Sequence, residues 1–159
     1  MRNDPARLAA LRKLLILDSS PERAFDDITR LLSTQLGVPI AMVNLLDEDR
    51  DWFKSCVGLP MSESPAATSF CEAFFSTADD LIVVEDTAAD ARFAGHPLVA
   101  GAPFVRFYAA ARLAVDGQTL GTLCAYDMQP HAVSAEQFAQ LRALASAAAS
   151  ALRQRPAVP

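Results

Sequence analysis

The side chains that could do chemistry here are three thiols, two imidazoles and a run of carboxylates. Cys56, Cys71 and Cys124 are odd in number and widely spaced. That pattern fits neither a disulfide framework nor a zinc site, which needs close pairs of ligands. A thiol reacts as its thiolate, so a reactive cysteine needs surroundings that favour the charge. A buried, structural cysteine is the plainer reading. His96 and His131 stand alone in loop segments, with no second ligand or base at motif spacing, and read as exposed and inert. Asp47, Glu48, Asp49 and Asp51 could ligate a cation, but no glycine or glutamate follows at calcium-loop spacing. They read as a solvated turn. No Ser-His-Asp order and no Gly-rich phosphate loop is present.

A further polar set comes from the clearest hairpin. Segments 104–113 and 119–127 flank Asp116-Gly117, a strong two-residue turn signal. A plain two-residue loop pairs Val115 with Gln118 and sets Arg106 across from Asp127, beside Tyr108. Strand alternation then puts Phe107, Ala109, Ala111 and Leu113 on one face with Leu120, Thr122, Cys124 and Tyr126. Arg106, Tyr108, Ala110 and Arg112 share the other face with Gly121, Leu123, Ala125 and Asp127. Roofed by the long irregular segment 86–103, the Arg106–Tyr108–Asp127 cluster predicts a small-molecule pocket. The plainer reading is a cross-strand ion pair that ties the sheet to its loop. Asp90, Arg92 and Phe93 read as a loop anchor that shapes the cavity roof: Arg92 bridges a carboxylate and Phe93 plugs the core.

The elements that must position these residues follow from periodicity and caps. Asp4-Pro5 starts a first helix, with Leu8, Leu11 and Leu15 on one face. Ser19 with Glu22 reads as a capping box for a second, whose stripe is Phe25, Ile28, Leu32 and Leu36 and whose stop is Gly37. IAMVNLL at 40–46 is strand-like, and 52–57 is its hairpin partner. A short helix at 70–75 and a buried strand at 81–85 come next. Ser134 with Gln137 boxes the last helix, carrying Phe138, Leu141, Ala145, Ala148 and Leu152. Trp52, the single tryptophan, reads as core or interface. This order predicts an α+β fold: a mostly antiparallel sheet of five or six strands, with the terminal helices (about 5–36 and 134–154) on one face. The smooth alanine-rich face of the last helix predicts a homodimer through the terminal helices.

Composition bounds the function classes. The chain has 159 residues, one ordinary domain over 1–159, and 52% of them are hydrophobic. Its net charge is −5, without a basic stripe, which argues against nucleic acid as partner. The apolar runs are short and alanine-rich, so no membrane is expected as partner. The N-terminal residues show no signal-peptide core, and a reduced cytoplasmic location is expected.

Read in order, a set of segments resembles the GAF domain family of bacterial signalling proteins. They are Leu14-Leu-Ile-Leu-Asp18 before Pro21-Glu22, Phe25-Asp26, Pro39-Ile40, Asp49-Arg50-Asp-Trp52-Phe53-Lys54-Ser55 and Gly58-Leu59. Ser69-Phe70-Cys71, Asp90-Ala-Arg92-Phe93, Pro97-Leu98-Val99, Arg106-Phe107-Tyr108-Ala109, Gly121-Thr122-Leu123-Cys124 and Asp127 complete the set. The resemblance is to the subgroup found ahead of diguanylate cyclase and histidine kinase modules. It implies a profilin- or PAS-like antiparallel sheet, a ligand cavity under loops and short helices, and dimerisation through terminal helices. It also implies a regulatory rather than enzymatic role in two-component or cyclic di-GMP signalling. The expected ligand-binding set is Arg106, Tyr108, Asp127, Cys71, Asp90 and Arg92, with no catalytic or metal-binding residue and no cofactor named. Two departures stand out. Tyr108-Ala-Ala-Ala-Arg112-Leu113 replaces the usual Tyr-Ala-Gly-Ala-Pro-Leu, and Pro130-His131 replaces Pro-Arg. The asparagine-lysine-aspartate motif of cyclic-nucleotide-binding members is not matched. A methionine sulfoxide reductase of this family would need two thiols in the pocket, and the hairpin register above turns Cys124 away from it. A ligand-free dimerisation scaffold is the other alternative.

Overall fold

The structure, a computed structural model, describes residues 1–155. Helix α1 (Pro5–Lys13) starts where the Asp4 carboxylate accepts from the Arg7 N–H at 3.0 Å. Leu8 and Leu11 are buried, but the third place on this face belongs to Leu14. Leu15, expected to share the stripe, lies past the helix in the left-handed region and is 52% exposed. Helix α2 (Arg23–Leu36) buries Phe25, Ile28, Leu32 and Leu36 as expected and closes on Gly37, at φ 67°. The Ser19–Glu22 capping box does not form, because the Ser19 hydroxyl donates to the Ile16 carbonyl at 2.5 Å instead.

Six strands follow: β1 (Ile40–Leu46), β2 (Arg50–Val57), β3 (Glu63–Pro65), β4 (Leu81–Val84), β5 (Phe107–Val115) and β6 (Gln118–Asp127). They form one antiparallel sheet in the order β3-β2-β1-β6-β5-β4. Between β3 and β4 lie 3-10 turns Ala66–Thr68 and Phe70–Ser76. Between β4 and β5 lie the 3-10 turn Thr87–Ala89 and a four-residue helix α3 (Pro97–Ala100). Helix α4 (Ala135–Gln154) opens on the expected Ser134–Gln137 box, with both reciprocal hydrogen bonds made.

The sheet separates two cores. On one face α1, α2 and α4 pack against Ala41, Val43, Leu45, Trp52, Leu123 and Ala125. Ala145 and Ala148 present a small buried stripe that lets α4 lie close to the strands. On the other face the loops and 3-10 turns cover Ile40, Met42, Leu46, Phe53, Tyr108, Cys124 and Tyr126. The α+β architecture, with terminal helices on one face, is the one expected.

The β5–β6 hairpin turns at Asp116-Gly117, both at positive φ, and Val115 pairs with Gln118 as expected. One residue further the register slips: Ala114 pairs with Thr119, but Leu113 pairs with Gly121, so Leu120 is an extra residue on β6. Such a bulge moves every later side chain of that strand to the opposite face. Thr122, Cys124 and Tyr126 therefore join Tyr108 and Ala110 under the loops, and Leu123 and Ala125 face the helices, the reverse of the expected assignment. Phe107, not Arg106, lies across from Asp127.

Gly121 sits where β6 lies close against β1. A Cβ there would stand 2.1 Å from the Asn44 carbonyl oxygen, a fixed backbone atom. Gly121→Ala must push the two central strands apart. We expect a loss of about 1–3 kcal/mol in unfolding free energy, read as a lower urea midpoint. An unchanged midpoint would mean that the strands separate there without cost.

Candidate functional site

Alternation along β1 puts Ile40, Met42 and Asn44 on the loop-covered face. They floor a cavity of about 320 Å³ beside Tyr126. Phe53 and Asp51 of β2 form one side, and Phe70, Leu98 and Val105 reach it from the covering segments. Met61 and Met128 stand at its mouth, 48% and 37% exposed, and Phe104, next to the lining residues Pro103 and Val105, is 49% exposed. Two of the six large apolar residues exposed on the described chain thus lie at this one opening.

One end of the cavity is polar. The Asn44 side-chain N–H donates to Asp51 Oδ2 at 2.9 Å and reaches Cys71 Sγ at 3.6 Å. The Ser69 hydroxyl donates to the same Asp51 oxygen at 2.5 Å. A carboxylate can only accept, so the Asn44 amide must turn its nitrogen to Asp51. Its Oδ1 is then left buried with no hydrogen-bond partner. Behind the carboxylate, Arg2 Nη2 stands 2.9 Å from Asp51 Oδ1, a buried ion pair. Arg2 also donates to Glu72 and to the Asp47 carbonyl, each at 2.8 Å. Its own carbonyl accepts two bonds from Arg7, whose third nitrogen donates to the Thr119 carbonyl. Arg2, Arg7 and Asp51 are all buried.

None of the six residues expected to bind a ligand lines this cavity. Tyr108 and Cys71 lie beneath it, fully buried, with the Tyr108 hydroxyl donating to Cys71 Sγ at 3.2 Å and Thr122 Oγ1 at 3.0 Å from the same sulfur. Phe70, Phe93, Tyr108 and Tyr126 fill the space around them with ring centroids 5.3–5.6 Å apart. Arg106 and Asp127 do not pair. The slipped register leaves them a backbone bond only, and the Arg106 guanidinium donates to the Val99 carbonyl at 2.8 Å. Asp127 instead holds His131 and the Met128 N–H. Arg92 clamps Asp90 through Nε and Nη2 at 3.1 and 2.9 Å, which holds the Asp90 carboxyl below its ordinary range, while Phe93 plugs the core. That anchor is as expected. His96 is not an inert loop residue. It stacks on Phe70 at 4.1 Å and its Nδ1 caps α3 by accepting from Leu98 N–H, and burial lowers its pKa. Arg112, the departure from the family pattern, donates to the carbonyls of Phe74, Thr77 and Asp79 and so ties down the end of the 70–76 turn.

Cys71 and Cys124 are both sealed from solvent. Burial pushes the Cys71 thiol up, but the donors Cys124, Thr122 and Tyr108 outweigh it and leave Cys71 the more acidic of the two. Burial, then Cys71 itself, holds Cys124 well above its ordinary value. Cys56, on β2, is half-buried, and burial raises it too. Among the described residues no cation stands within hydrogen-bond reach of Cys71. Among the described residues no three His, Cys, Asp or Glu side chains gather to hold a metal ion.

Arg2, Asn44, Asp51 and Ser69 were missed. Asn44 carried a signal: it is the single polar residue in an otherwise apolar strand, where a buried amide requires partners. Asp51 was grouped with the solvated turn, yet it is the first inward residue of β2 and is 2% exposed.

The GAF domain family model matches residues 20–152. The chain belongs to the GAF domain family. It is 34% identical over 136 residues to a cyclic di-GMP phosphodiesterase of Pseudomonas aeruginosa, a match covering 85% of this chain and 23% of that protein. The chain thus spans about a quarter of the length of that relative. Among solved structures it is similar to the GAF domain of an Acinetobacter phosphoenolpyruvate-protein phosphotransferase, with TM-score 0.69, 19% identity and 98% coverage of both chains. It is also similar to a free methionine-R-sulfoxide reductase from Neisseria meningitidis solved with its substrate, with TM-score 0.64 and 16% identity, covering 91% of this chain and 86% of that one. At these identities the structures share the GAF fold with this chain and nothing finer. No helix among the described residues is long and apolar enough to cross a membrane.

Two predictions follow from this GAF domain's buried polar groups. Arg2→Met leaves Asp51 buried without its cation. We expect a loss of about 3–5 kcal/mol by urea unfolding, partly recovered when Asp51→Asn is added. Strictly additive losses would mean the two do not interact. The only two tyrosines, Tyr108 and Tyr126, are held well above the ordinary value of 10 by burial and then by the neighbouring thiols. A raised folded pKa leaves stability intact below pH 10 and erodes it above, as only the unfolded chain ionises. Tyrosinate absorbance should therefore rise together with loss of circular dichroism. A rise near pH 10 in the folded protein would contradict the burial.

Proposed function

We propose that this GAF domain is a sensory module of signal transduction that binds a small molecule in the cavity floored by β1 and alters an output partner, without chemistry of its own. The observation that carries this is the cavity itself: an apolar space of about 320 Å³ with a polar end at Asn44, Asp51 and Ser69. The six residues expected from the sequence take supporting parts in this reading. Arg106 and the Asp90–Arg92 clamp hold the covering loops, Asp127 fixes Met128 at the mouth, and Cys71 with Tyr108 underlies the polar end. The sealed thiols favour binding over a thiol reductase activity.

The output would be a histidine kinase or diguanylate cyclase type of module, reached through a homodimer of terminal helices in the cytoplasm. Leu31, 48% exposed on α2, lies on a face free for such packing. The similarity to a cyclic di-GMP phosphodiesterase supports a place in cyclic di-GMP signalling. The aromatic filling around Tyr108 favours the second reading, a dimerisation scaffold without ligand, for that half of the loop-covered face alone.

Native mass spectrometry of the purified protein tests both parts at once. The expected result is a dimer carrying a retained small molecule that is lost on denaturation. A bare dimer would favour the scaffold, and a bare monomer at high micromolar concentration would overturn the proposal.

A further inference from the structure

The cavity's lining restricts what could occupy it. Its walls are almost entirely apolar, from Ile40, Met42, Phe53, Leu98, Val105 and Tyr126. Asp51 is the one charged residue on the lining among the described residues, and Arg2 neutralises it from behind. An anion would enter a space that presents it no cation and one carboxylate, with desolvation opposing it as well. A cation would compete with Arg2, Asn44 and Ser69, which already occupy the Asp51 carboxylate.

The unmet demand is of another kind. Asn44 lines the cavity and is 1% exposed, and its Oδ1 accepts from no donor among the described residues. The amide cannot be turned round to remove the orphan, because the Asp51 carboxylate requires the nitrogen. A buried acceptor without a partner is costly, and a donor brought in through the cavity would remove that cost. At the other end, Met61 and Met128 leave apolar surface open at the mouth, which a bound apolar body would cover. Methionine's flexible thioether suits such a mouth, since it can repack around a planar ring.

Resting on the sensor reading above, we infer that the cavity takes an uncharged, largely apolar small molecule, most simply a planar heteroaromatic, carrying one N–H or O–H donor for Asn44 Oδ1. The donor fixes orientation and the apolar body supplies the affinity.

The four methionines provide the assay. Met42, Met61 and Met128 line the cavity and Met1 does not. With methyl-13C-methionine protein, indole should shift three of the four methyl signals and leave Met1 unmoved. 1-Methylindole, which has the same ring without the donor, should bind at least tenfold more weakly. Indole-3-acetate should leave the signals in place. Asn44→Leu should abolish the preference for indole over 1-methylindole. If that variant does not fold, the two probes on the wild-type protein still decide. Equal binding of indole and 1-methylindole, or tighter binding of indole-3-acetate, would overturn the ligand class. If indole shifts nothing but native mass spectrometry finds a charged retained molecule, the class fails and the sensor reading stands. If no probe shifts the signals and no mass is retained, both fail.

Discussion

The bulge at Leu120 decides which core each side chain of β6 enters. A strand with one face on helices and one under loops has no neutral register, because a slip of one residue exchanges its two faces. With the bulge, Leu123 and Ala125 meet the helices, where small and branched apolar groups pack well. Thr122, Cys124 and Tyr126 go beneath the loops, where polar atoms find partners. Without it, the Thr122 hydroxyl and the Tyr126 phenol would be pressed into the alanine-lined helix face, and their desolvation would go uncompensated. Gly121 belongs to the same constraint: it is the residue opposite Leu113 at the slip, and it lies against the β1 backbone too closely for a side chain.

Once Thr122 and Tyr126 lie under the loops, the remaining polar groups there form one connected set. Thr122 meets Cys71, Cys71 meets Tyr108 and Asn44, and Asn44 meets Asp51. A buried carboxylate at the end of this chain needs compensation, and Arg2 supplies it from a segment outside the residues that the family model matches. The N-terminal residues are therefore not an appendage to the GAF domain. Arg2 and Arg7 knit them to the β1–β2 turn, to the 70–76 turn and to β6.

Much of this fold was legible because its signals were local. The Asp116-Gly117 turn, the α2 stripe and the Ser134–Gln137 box each depend on residues within a few positions of one another, and each stands where the sequence places it. The bulge was not legible, because nothing in residues 113–121 distinguishes a slip from a plain ladder. What selects it is the contrast between the two cores, a property of the assembled sheet. The Arg106–Asp127 pair was misplaced for that reason: the two were set opposite each other by a register that holds for two pairs only. Asp51 was hidden differently. Its neighbours Glu48 and Asp49 are exposed, and only the start of β2 turns it inward against Arg2, forty-nine positions away in sequence.

The arrangement gives the cavity an asymmetric surrounding. Its floor is the sheet, held from behind by three helices and by the close approach of β6 to β1. Its covering segments are held at points: Arg106 on Val99, Arg92 on Asp90, Arg112 on the end of the 70–76 turn, His96 on Leu98. Point anchors allow the segments between them to adjust, whereas a packed sheet face resists deformation. A change at Asn44 is thus met by a rigid floor on one side and by Asp51, shared with Ser69 and Arg2, on the other. Through that carboxylate Asn44 is connected to Arg2, and through Arg2 to the 70–76 turn and the N-terminal segment. The Arg2–Arg7 connection, which ends on α1, joins that segment to the helix face.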